Sequence, residues 1–86
     1  MTYFQYLFAI NTVAEMAAES AIDAHGKPVS PQMAWDFITT FLYEAEDPLY
    51  ETVQGSMPRQ FIHDYNRHCR IIMEKRRTDT LPTQDA

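Results

Sequence analysis

Three side chains of the types that bind metals or act as nucleophiles, His63, His68 and Cys69, fall within one short span of the chain. On a helix, ligands for one ion come at i and i+3 or i+4, whereas His63 and His68 are five apart and stand about 140° apart around the axis. The spacing turns them away from a common ion, and neither a metal nor any other cofactor is expected. Asp64 precedes His68 by one helical turn, which predicts an ordinary surface contact between the two. Cys69 falls inside an apolar stripe, where a thiol behaves as a small hydrophobe. A nucleophilic role would need a lowered pKa and access for a substrate. The other carboxylates lie on solvated helix faces, with no pair forced together by spacing. No glycine-rich loop is present, so no catalytic residue is assigned and the chain is not expected to be an enzyme.

A second pattern is electrostatic. Arg59, His63, Arg67, Arg70 and Arg77 recur at steps of four, four, three and seven, one face of a helix opposite its apolar stripe. Such a face can contact phosphates, and arginine reads planar acceptors well. The same residues also suit a solvated surface, with Lys75, Arg76 and Arg77 placed where a helix dipole favours cations. The net charge of −5 and sequence pI of about 4.9 weigh against nucleic acid, since the basic footprint of a binding domain asks for a pI above about 9. A nucleic-acid-associated regulator using this face therefore stands as the alternative reading. The charge is also unevenly spread: residues 1–57 set eight carboxylates against Lys27, while residues 58–86 set six bases against four acids.

These groups need elements to hold them, and the hydrophobic spacing supplies four. The stretch from Ser30 to Glu46 is the densest: Ala34, Trp35, Phe37, Ile38, Phe41, Leu42 and Ala45 fall on one arc of a helix. Ser30 is placed to be its N-cap and Pro31 its first helical residue. Thr2 and Gln5 have the form of a capping box opening an earlier helix that runs to about Ala24. Its inward face reads Tyr3, Tyr6, Leu7, Ile10, Val13, Ala14, Ala17 and Ala21, bulky and then small, which predicts a tight crossing by a neighbour along its second half. Phe4, Phe8 and Ile22 lie at the border of this face. Gly26 and Pro28 stop the helix. Asp47-Pro48 introduces a short helical segment with Leu49, Tyr50 and Val53 inward. Ser56 and Pro58 introduce the last helix, expected to reach Arg77 with a stripe of Phe61, Ile62, Tyr65, Cys69, Ile72 and Met73. No stretch alternates with the period of a strand.

The expected architecture is all-α, a small bundle of three main helices plus one short helix, with the Trp35 helix sandwiched between the first and the last. One domain covers residues 1–77, and residues 78–86 form a flexible tail. A chain of 86 residues buries only about 60–65% of the surface its unfolded form exposes, and with one cysteine it can form no internal disulfide. The N-terminus lacks the basic start of a signal peptide, and no window is long and apolar enough for a membrane span. The expected setting is the cytoplasm, away from membranes.

A small core and several apolar groups outside the predicted stripes point to a surface covered by another chain. Phe4, Phe8, Met33, Tyr43 and Ile71 are those groups, and Glu15, Glu19 and Asp23 give the first helix an acidic side that would steer a basic protein partner. The function read from this pattern is a small acidic helical protein-binding module acting as a regulator, inhibitor or accessory factor. Its partner is a different protein or, as a homodimer, a second copy.

Overall fold

The computed structural model describes residues 2–80, and within them the chain is all-α, with four helices: α1 (Tyr3–His25), α2 (Pro31–Glu44), α3 (Leu49–Val53) and α4 (Arg59–Thr80). Each start has a local cause. The Thr2 hydroxyl accepts from the Gln5 amide while the Gln5 side chain accepts from the Thr2 amide, the reciprocal capping box. Ser30 Oγ accepts from the Met33 amide, and Pro31 follows it. The Asp47 carboxylate accepts from the Leu49 amide at the start of α3. α1 stops at Gly26, whose φ of 77° is left-handed, and the short turn before α4 uses Gly55 at φ 99°.

α1 and α4 form the largest interface in the molecule. Asn11 meets Arg67 and His68, and further along the same helix Asp23 meets Arg76, so the two helices run in the same direction. α2 runs back beside them, and α3 touches α1 and α2. This corrects the expectation that α2 is sandwiched: α1 and α4 pack directly on each other. The small residues of α1 serve close approach as expected, because Ala14, Ala17, Ala18 and Ala21 are all buried. Ala17 and Ala21 share one groove with Ala34 of α2.

The slice of α2 that is buried is narrower than its apolar arc. Ala34, Trp35, Ile38 and Leu42 point inward, whereas Phe37, Phe41 and Ala45 are exposed. Trp35 sets this rotation. Its indole N–H donates to the Gly55 carbonyl at 2.9 Å, and its ring packs edge-on to Phe61 with centroids 4.9 Å apart. Gly55 lies in the turn before α4 and Phe61 in its first turn, and satisfying the buried N–H there turns Phe37 and Phe41 outward. Tyr3, expected on the inner face of α1, is exposed as well, and Met73 stands at the border of the α4 stripe. Ile22, placed at the border of the α1 face, is fully buried.

α2 also ends two residues before Glu46. The Glu46 amide donates to the Tyr43 carbonyl and the Asp47 amide to the Leu42 carbonyl, the paired bonds of a Schellman motif, with Glu46 at φ 54° in the position glycine ordinarily takes. α4 continues three residues beyond Arg77, so residues 78–80 belong to the helix. The remainder of the expected tail lies outside the described residues. No helix among the described residues is long and apolar enough to cross a membrane.

A β-carbon in the left-handed region costs about 1–2 kcal/mol, offset in part by the greater unfolded-state entropy of glycine. Glu46→Gly is therefore expected to stabilise the fold by about 0.5–1 kcal/mol. Urea denaturation checks this through a raised midpoint at unchanged slope.

Candidate functional site

A polar seam joins α1 to α4 along one edge of the core. Asp64 is the one charged side chain buried among the described residues, at 3% exposure. Its Oδ1 accepts from the Gln60 amide group at 2.9 Å and lies 3.4 Å from Nη1 of Arg67. The other terminal nitrogen of Arg67 donates to Asn11 Oδ1 at 2.7 Å, and His68 Nε2 lies 2.9 Å from that same oxygen. One amide oxygen of α1 thus receives two α4 side chains, and Arg67 links it to the buried carboxylate. The expected surface contact between Asp64 and His68 is not formed. Asp64 faces inward toward Gln60 and Arg67, and His68 turns to Asn11, because the seam holds the available hydrogen-bonding groups while α4's outer face meets water.

The thiol of Cys69 is buried one turn beyond Tyr65. Burial pushes its pKa up, the hydrogen bond with Tyr65 offsetting part of the shift. The Tyr65 hydroxyl accepts from the Val29 amide and donates to the Val29 carbonyl, tying the loop after α1 to α4. Burial and the neighbouring thiol raise the Tyr65 pKa as well. Both groups stay protonated at neutral pH, so Cys69 is a packing residue with no thiolate to offer. Among the described residues no group of three or more His, Cys, Asp or Glu is arranged to hold a metal ion, and His63 lies in solvent away from His68 and Cys69.

The residues singled out for protein binding separate into two sets. Phe4, Phe8, Glu15 and Glu19 recur at steps of four, seven and four along one stripe of α1, and all four are exposed. Glu15, Glu19 and Asp23 line a groove of about 440 Å³ with Ile71, Ile72, Lys75, Arg76 and Asp79 of α4. The fold therefore brings Phe4, Phe8, Glu15, Glu19, Asp23 and Ile71 to one face of the α1/α4 pair, with Arg76 reaching across to Asp23. Met33 and Tyr43 stand elsewhere, on α2. Met33 flanks the groove between α1 and α2, and Tyr43 packs its ring against Tyr50 with centroids 5.2 Å apart.

The basic set is less uniform in space than in sequence. Arg59, His63 and Arg70 are exposed, Arg67 is drawn into the seam, and Arg77 pairs with Glu74 at 2.7 Å. Arg70 and Arg77 share a shallow depression with Gly26 and Met73 at the C-terminal end of α1. Asn11 and Gln60 were missed in the sequence. The steps from Gln60 to Asp64 and Arg67 are four and three, and they mark a polar stripe beside the apolar one.

No family model matches the chain, and no curated protein or solved structure matches it at a significant level. The functional reading therefore rests on the residues alone.

Removing the shared acceptor with Asn11→Ala is expected to destabilise the fold by about 1–2 kcal/mol. Asp64→Ala, which leaves Gln60 and Arg67 facing an empty buried site, is expected to destabilise it by about 1–3 kcal/mol, the half-exposed Arg67 keeping the figure low. Chemical denaturation of each variant measures both. A second expectation concerns pH. The folded state raises the pKa of Cys69 and of Tyr65, so the stability they contribute is complete below the unfolded values and falls as pH climbs through about 8.5 to 10, where an unfolded thiol and phenol ionise. Native protein at pH 8 should resist alkylation by iodoacetamide, urea should expose one reactive thiol, and the melting temperature should drop across that alkaline range.

Proposed function

We propose that the chain is a small acidic helical protein-binding module, without enzymatic activity, that regulates, inhibits or assists a basic protein partner in the cytoplasm. Its scaffold is a small bundle of three main helices with the short α3 as a brace. The observation that carries this reading is the face on which Phe4 and Phe8, 81% and 73% exposed, continue into Glu15, Glu19 and Ile71. Covering a large aromatic side chain is worth about 1.5–3 kcal/mol relative to leaving it in water. A fold with a small core that holds two phenylalanines outside has that energy to gain from a second chain.

The charge around Ile71 suggests the kind of chain. Glu15, Glu19, Asp23 and Asp79 surround it with four carboxylates, against the cations of Lys75 and Arg76. A matching surface carries apolar anchors flanked by Lys or Arg, and the net charge of −5 would speed its encounter at low salt. The nucleic-acid alternative draws less support, because Arg67 and Arg77 of the basic face are already engaged with carboxylates of their own helix.

Capture of a partner from the native host with the intact chain, followed by titration, tests the reading. The double variant Glu15→Lys/Glu19→Lys is expected to slow association about tenfold at low salt and to flatten the salt dependence, while Phe8→Ala is expected to speed dissociation. Unchanged affinity and an unchanged salt slope in the charge-reversed chain would remove the basic partner from the proposal.

A further inference from the structure

α2 carries two apolar faces, and the fold uses one. Met33, Phe37 and Phe41 follow one another at steps of four on the unused side, each of them half or more exposed. Beside this ridge runs a groove of about 170 Å³ between α1 and α2, its walls supplied by Ala17, Ala21, Ala24, Val29 and Ala34, with Met33 and Phe37 along its rim. The side chains lining it carry no carboxylate and no lysine or arginine, and its polar members are Ser20 and His25. Glu15, Glu19 and Asp23 lie on the opposite flank of α1, in the groove shared with α4.

We infer that this ridge and groove are a homodimer interface, in which α2 of one copy packs across α2 of a second. The inference uses a surface separate from the acidic face described above and stands without it. Two properties of the patch select a second copy as its occupant. A ridge lying next to a groove is complementary to itself under a two-fold axis, since residue i of one copy meets residue j of the other and j meets i. Phe37 and Met33 of each copy would then enter the groove of the other, ridge into groove as helices ordinarily pack.

Charge makes the same selection. Two molecules of net charge −5 repel one another, and they can approach most closely where neither presents a carboxylate. The groove has that property, and the carboxylates of α2 nearest to it, Asp36 and Glu44, stand at the flank and the far end of the ridge. Area sets the strength. The three ridge side chains expose on the order of 100 Å² each. With the groove walls the patch comes to roughly half of the 800 Å² per partner of a standard specific interface, the size of a weak, transient contact. The dimer should therefore be reversible, with dissociation in the micromolar range. The stripe also offers a chain of this length a route to burying apolar surface that its own core does not supply.

Sedimentation velocity on the intact chain, from low micromolar to several hundred micromolar, tests this. The expected result is a monomer–dimer equilibrium that tightens as salt is raised, because salt screens the repulsion of like-charged copies; binding of a basic partner weakens with salt, so the two readings fail independently. Phe37→Glu is expected to raise the dimer dissociation constant roughly 30-fold or more, as loss of a central anchor does. Its helical circular dichroism should match the parent, since the side chain stands in solvent; Met33→Glu is the second variant should Phe37→Glu fold poorly. A strict monomer across the range overturns the proposal. So does a dimer that survives both α2 variants, or one that Ile71→Glu dissolves while Phe37→Glu does not.

Discussion

Placing α1 and α4 side by side in the same direction obliges the chain to travel back along the pair before α4 can begin. α1 with 23 residues is about 34 Å long, and α2 with 14 residues covers only about 21 Å of the return. The Schellman turn at Glu46, the single turn of α3 and the Gly55 bend supply the rest. Every other feature follows from this return path. α2 is held by Trp35 at its α4 end and by alanine contacts with α1, and what those two contacts leave uncovered becomes surface. The same geometry turns one side of the α1/α4 pair into a long face unobstructed by α2.

The parts of the fold readable in the sequence are those decided within a few residues. The capping box at Thr2 and Gln5, the Ser30-Pro31 start and the Gly26 stop depend on local hydrogen bonds and backbone sterics, and each is in place. The rotation of α2 was not readable. Its apolar arc is wider than any one neighbour can cover, and the slice that is buried was chosen by a long-range bond, the indole N–H reaching the Gly55 carbonyl twenty residues away. The exact stop of α2 at Glu44 is not readable for a related reason, because a glutamate in a left-handed conformation carries no signature in residue type.

The candidate surfaces divide along the same line. Phe4, Phe8 and Ile71 fell outside any predicted stripe, and their exposure needed only helical periodicity to foresee. That Ile71 would share a groove with Glu15 and Glu19 required the parallel register of α1 and α4, which periodicity does not contain. Asp64 illustrates the converse. In sequence it is one more carboxylate on a helix; in the fold it is sealed beneath Gln60 and Arg67, and the Asn11 amide that completes the seam comes from a helix more than fifty residues earlier.

The position of Trp35 has a practical corollary. It is the sole tryptophan, and it sits where α2, the Gly55 bend and the first turn of α4 converge. Its emission thus serves as an intrinsic optical gauge of that junction: a red shift during a stopped-flow or temperature-jump record would time the moment when the return limb peels away from the paired long helices, without any dye attached.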